Sequence, residues 1–304
     1  MLHLFPTPYP DELLYSVVCR YHIRSGNRTV QHTRSDLSFL NNGNSYSHIL
    51  PSKLGHLSKQ LPFACSLTVE QLIENHTLFP YYRSYLTYKE QTVLKNFMIG
   101  KKARSIALLA KIPKLELYNS SNLKFCSLCL EQDLKIYGET YWHRSHQMPG
   151  VKMCLNHNQQ LQDSKVTTEA IRRNFILPTF NHCDVKELHG DSSVKETLSV
   201  FARKIIDEIN QPSQFISLKH LRDSYRPLLR QEDSINLKNG EINPDKLADQ
   251  IIQYYGLSTL SIIHPEIMDK FSDYLSLSLM ACDLLTEVDR VLHWLVQKFI
   301  EDNY

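Results

Sequence analysis

Apolar residues set the helical frame of the chain. Between residues 11 and 25, Leu13, Leu14, Val17, Val18 and Tyr21 recur at the spacing of one helix face, behind a strip that Pro6, Pro8 and Pro10 hold extended. Short helical patterns follow at 34–40, 52–61 and 68–76, the last opened by Thr68 with Gln71 three residues on, the spacing of a capping box. From 90 to 111 two helical stretches meet near Gly100. Farther on, Val194, Leu198, Phe201, Ile205 and Ile209 share a stripe over 193–209, with Ser193 and Glu196 as a second capping box. A helix over 244–255 runs from Asn243-Pro244 to Gly256 with Leu247, Ile251 and Tyr255 inward, and two more fill 265–300, broken near Ala281-Cys282-Asp283. The expected architecture is mainly α: a helix-turn-helix-like helical module over 1–119 and a helical bundle over 166–304.

Residues 120–165 differ in kind. They are short on helical periodicity and dense in Cys, His, Tyr and Trp, so a small loop-rich unit here needs a staple beyond its apolar core. Cys126-x-x-Cys129 and Cys154-x-x-His157 form two pairs, each able to present two ligands from one tight turn, as tetrahedral zinc requires. Four protein ligands close the site, so the ion is structural: a Cys3His zinc ribbon. His143 and His146 lie between the pairs, and either could replace His157. His182, Cys183 and His189 lack a fourth partner close by.

Charge and cysteine usage narrow the functional classes. Lys+Arg 34 against Asp+Glu 32 leaves a formal +2, so contact with nucleic acid needs a local patch. The strip Lys95, Lys101, Lys102, Arg104, Lys111 and Lys114, free of intervening acids, is one candidate. Arg222, Arg226 and Arg230, at i, i+4 and i+8 beside Lys219 and His220, are another, although Pro227 would interrupt a recognition helix there. Seven cysteines at these spacings fit metal binding in a reducing compartment, and the chain has neither a membrane-length apolar run nor a secretory start; a cytoplasmic protein without a membrane partner is expected. No phosphate-binding glycine loop, metalloprotease helix or nucleophile elbow occurs, and Asp133 and Glu139 yield to four better ligands, so the expectation is a binding protein and not an enzyme. Phe5 and Tyr9, on the proline-stiffened arm, are candidate anchors for a partner protein.

Three stretches together resemble a known family: Phe5-Pro-Thr-Pro-Tyr-Pro-Asp-Glu-Leu-Leu-Tyr-Ser16, Glu74-Asn-His-Thr-Leu-Phe-Pro-Tyr-Tyr82, and Phe125-Cys-Ser-Leu-Cys129 with Tyr137-Gly-Glu-Thr-Tyr-Trp-His-Arg-Ser-His146-Gln-Met-Pro-Gly-Val151 and Cys154-Leu-Asn-His157. They are similar to the TniQ/TnsD proteins, the target selectors of cut-and-paste transposons, densely over residues 4–162. Leu218 to Tyr225, Asn239 to Asn243 and Ile251 to Gly256 more loosely resemble the helical extension of the longer TnsD-type members. The resemblance implies an adaptor that links target double-stranded DNA, or a CRISPR effector complex with guide RNA already seated on DNA, to an AAA+ ATPase regulator. An autonomous sequence-specific DNA-binding protein reading a fixed attachment site is the alternative, although family members of that type usually continue past residue 304. Whether the chain forms a homodimer is left open.

Overall fold

A computed structural model describes residues 1–37, 48–62, 65–84, 86–100, 105–113, 122–186, 191–210, 235–236, 241–242, 244–265 and 289–303. Its N-terminal part is built from α1 (Leu14–Arg24), α2 (Val30–Leu37), α3 (Leu54–Gln60), α4 (Val69–His76), α5 (Phe79–Arg83), α6 (Tyr88–Ile99) and α7 (Ile106–Leu109). Helix α1 is buried from Leu14 to Tyr21, because Arg20, its one charged residue in that run, is paired internally. The expected box at α4 is formed in both directions: the Gln71 amide N–H donates to Thr68 Oγ1 at 3.1 Å, and Thr68 N–H to Gln71 Oε1 at 2.8 Å. Thr87 and Glu90 build the same box at the start of α6. That helix stops at Gly100, whose φ of 137° a side chain would resist. It crosses α3 so closely that a Cβ on Gly55 would stand 2.8 Å from the Ile99 carbonyl oxygen.

The middle segment carries a helix that its periodicity does not announce. After β1 (Asn122–Phe125), α8 (Ser127–Tyr137) runs for three turns before β2 (Met153–Cys154), β3 (Gln159–Gln160) and β4 (Gln162–Thr167). Leu128, Leu134 and Ile136 are exposed on α8 and Asp133 is buried, so its apolar residues draw no stripe. Strands β1 and β4 pair antiparallel with Phe125 opposite Gln162, while β2 and β3 form a hairpin with Cys154 opposite Gln159.

Helices return with α9 (Thr168–Arg173), α10 (Ser192–Asn210), α11 (Pro244–Tyr255), α12 (Leu257–Ile263) and α13 (Arg290–Asn303), and β5 (Ile235–Asn236) pairs with β6 (Glu241–Ile242). The cap of α10 is not the expected Ser193–Glu196 box: Asp191 Oδ1 accepts from Ser193 N–H at 3.0 Å, one residue before the helix begins. The fold class is mainly α, as the periodicity predicts.

One apolar core runs through all three predicted segments, with Tyr81, Met153, Phe201 and Trp294 among its buried members. Tyr81 meets the Trp294 ring edge-on at 5.2 Å. Gly150, at φ 80°, lies so close to α10 and α13 that a Cβ would meet Ile205 and Val291 at 3.1 Å. Arg290 fastens α13 to the N-terminal helices: its Nη2 donates to the carbonyls of Tyr82 at 2.6 Å and Ala110 at 2.7 Å, satisfying the end of α7.

Candidate metal centre

Four ligand atoms converge where α8 meets the β2–β3 hairpin. Cys126 is the N-cap of α8 and Cys129 sits in its first turn, so the helix N-terminus favours thiolate on both. Cys154 closes β2, and the turn that follows, with Asn158 at φ 47°, brings His157 back toward it. Cys129 Sγ stands 3.6 Å from Cys154 Sγ, and His157 Nδ1 is 3.7, 3.3 and 3.7 Å from the sulfurs of Cys126, Cys129 and Cys154. A tetrahedral zinc with ordinary bond lengths has edges of about 3.8 Å between sulfurs and about 3.5 Å between sulfur and nitrogen. The donors present fit that ion in number, softness and spacing.

Without a cation the three thiols compete for one negative charge. Hydrogen bonds from Cys129 and Cys154 hold the Cys126 thiol well below its usual range, while the same bonds push Cys129 up and Cys154 up to about 11. Gln159 supports the cluster from outside, accepting from Cys126 Sγ at 3.3 Å and Ser127 Oγ at 3.0 Å. A metal held by all four side chains would carry no open position, which suits a structural ion.

The competing histidines are also close: ligand atoms of Cys129, His143 and His146 lie within 4.8 Å of one another. His143 Nε2 shares a hydrogen bond with Asp133 Oδ2 at 2.9 Å, and its ring stacks on Tyr141 at 4.3 Å and on His146 at 4.7 Å. Burial pushes His146 down to about 3. The second set offers three ligand atoms where the first offers four. Asp133 is thus engaged by His143, and Glu139 by Arg20 and Arg24. Of the other sequence candidates, His182 is held by Thr179 and Leu177, Cys183 is buried, and His189 lies outside the described residues.

Around the centre the N-terminal arm is stitched down. Asp11, in the left-handed region at φ 54°, accepts from Ser145 N–H at 3.1 Å and from Arg144 Nε at 3.3 Å through its carboxylate. Tyr9 stacks on Tyr137 at 4.1 Å, lies under the Arg20 guanidinium at 3.7 Å, and donates its hydroxyl to Glu139 at 2.7 Å. Phe5 packs against the core with its ring 6.1 Å from Tyr21. Both candidate anchors therefore have structural work inside the chain.

The basic candidates fall differently. Lys95 pairs with Glu74 at 2.9 Å and Lys111 with Glu90 at 3.0 Å. Lys101, Lys102, Arg104 and Lys114, like Lys219, His220, Arg222, Arg226 and Arg230, lie outside the described residues. Arg34 Nη2 donates to the Arg172 carbonyl and so ties α2 to α9; exposed Arg28, His32 and Arg172, on the α1–α2 turn, α2 and α9, have no carboxylate partner among the described residues, although Asp36 and Glu169 are exposed on the same helices.

Residues 3–161 match the sequence profile of the TniQ family. Among named proteins, the chain is 26% identical over 153 residues to transposon Tn7 transposition protein TnsD of Escherichia coli, a match covering 50% of this chain but 30% of that relative. The profile match extends over half the chain and takes in the arm, the N-terminal helices and all four ligands of the cluster, so the chain belongs to the TniQ family.

Proposed function

We propose that this chain is a target-selection adaptor for DNA transposition. The observation that carries the reading is the family match over residues 3–161, beside the chain's similarity to a protein named for transposition; the Cys3His cluster inside that range suits holding a recognition surface rigid, not activating a substrate. The ion is zinc in this reading, bound by Cys126, Cys129, Cys154 and His157. Exposed Arg28, His32 and Arg172 are candidates for contact with double-stranded DNA, as are Lys101, Lys102, Arg104, Arg222, Arg226 and Arg230. An AAA+ regulator is the partner to be recruited, and the target arrives as DNA itself or as an RNA-guided effector seated on it.

Gel shifts with and without that effector, run beside pull-downs of the AAA+ regulator, test the reading. Retention of the regulator is expected. A shift by the protein alone at physiological salt assigns target reading to this chain, a shift only with the effector assigns it to the guide, and failure of both pull-down and shift overturns the proposal.

A further inference from the structure

A second set of metal-ligating side chains converges on one of the four ligands. Ligand atoms of Cys129, His143 and His146 lie within 4.8 Å of one another, all three residues are buried, and the two sets share Cys129 alone. Local structure explains the convergence. Cys129 and Asp133 stand four residues apart on α8 and so point to one side of it. The chain returns past them into a 3₁₀ turn at Ser145–Gln147, where the three-residue spacing stacks the His146 ring on that of His143. Neighbours hold this turn in place: the Asp11 carbonyl accepts from Arg144 N–H at 2.7 Å, Ser16 Oγ from Trp142 N–H at 3.0 Å, and the His143 carbonyl from Gln147 Nε2 at 3.1 Å. Donors fixed in this way need little reorganisation to bind an ion.

Charge gives the reason for one. Asp133 is 3% exposed, and its carboxylate meets His143 Nε2. A carboxylate so deep calls for a cation. Beside it, one zinc on three thiolates leaves the first set with a negative surplus, and a second divalent ion cancels both. An ion pair of Asp133 with His143 by itself would not account for a second imidazole on the same sulfur. With Nε2 given to Asp133, His143 keeps Nδ1 for a metal, the carboxylate–histidine–metal order that orients bound imidazoles. Zinc needs about 3.5 Å between sulfur and nitrogen, so donors within 4.8 Å close by little more than about 1 Å.

We propose that the centre is dinuclear, with a second zinc on Cys129, His143 and His146 and the Cys129 sulfur bridging the two ions. Three protein donors leave its fourth position to water, so it is held more weakly than the first. It ties α8 to the turn on which the arm is anchored. The inference rests on zinc in the set of Cys126, Cys129, Cys154 and His157.

The test counts zinc per chain after dialysis against buffered free zinc, for wild type, His146→Gln and Asp133→Asn, with circular dichroism to confirm folding. Wild type should hold about two ions and yield them to a chelator in two steps, His146→Gln should hold about one, and Asp133→Asn should bind the second about 10–100-fold more weakly. Cobalt(II) in place of zinc gives a readout on wild type alone, whether or not a variant folds: ions sharing one sulfur couple magnetically, so the paramagnetism per cobalt should fall as the second equivalent binds. Saturation of wild type at about one zinc, a second zinc kept by folded His146→Gln, or an uncoupled cobalt pair would overturn the second site and leave the first standing. Folded wild type without zinc would overturn both.

Discussion

Replacing Arg20 by methionine keeps most of the aliphatic stem and removes the cation on which the arm closes. The guanidinium is 1% exposed, lies 2.7 Å from Glu12 and 2.7 Å from Glu139, donates to the Thr7 carbonyl at 3.2 Å and covers the Tyr9 ring. Glu12 is fully buried, and the substitution leaves its carboxylate with the Tyr9 amide at 2.9 Å. Stripping one partner from a buried pair costs about 3–5 kcal/mol. The loss depends on pH. Burial raises Glu12 to about 7 against the pull of Arg20, so the folded chain keeps a proton that the unfolded chain releases near its ordinary 4.5. Stability from Glu12 therefore falls as pH rises between those values, by about 3 kcal/mol in all. Without Arg20 the folded value climbs further and the fall continues above neutrality. Urea unfolding followed by the fluorescence of buried Trp142 and Trp294, at about pH 5.5 and about pH 8, reads both effects. Arg20→Met should lose more at the higher pH, and Glu12→Gln added to it should recover part of the loss there. A single variant within about 0.5 kcal/mol of wild type at high pH, or strictly additive effects in the double variant, would refute the reasoning.

Other expectations follow from the same geometry. Cys126→Ser or Cys154→Ser should release about one zinc per chain, and because structural zinc contributes about 10–16 kcal/mol of apparent binding free energy, residues 122–167 should lose hydrogen-exchange protection; metal analysis beside exchange mass spectrometry checks both. Charge reversal of Arg28 and Arg172 should flatten the salt dependence of duplex binding, by about 0.9 in log–log slope for each phosphate left unneutralised, with the melting temperature unchanged. Burial pushes His293 down to about 4, below the ordinary 6.5, so its contribution is complete above 6.5 and is lost as pH falls toward 4; His293→Gln should flatten that acid limb in a titration of stability.

Legibility in the sequence varied with how local the signal was. The helix over 244–255 is found at Pro244–Tyr255, since proline at its start, glycine after its end and an inward stripe all speak within one stretch. Likewise the two ligand pairs were readable because each pair sits within four residues. Helix α8 was not, because Cys126 and Cys129 are placed by the centre and the exposed apolar residues around Asp133 obscure its period. The latch brings Glu139 to Glu12 and Arg20, more than a hundred positions before it, and Asp11 needs a left-handed backbone that sequence pattern does not encode.

The proposed role in target selection is tested most directly by asking whether this chain decides where a transposon inserts. In cells carrying the complete transposition machinery, insertions would be mapped by sequencing with the chain present, absent, or altered at Cys154→Ser. Insertions should concentrate at recurrent sites only when the intact chain is supplied, and should scatter or vanish otherwise. The same sites used at the same frequency in its absence would contradict a role in target selection.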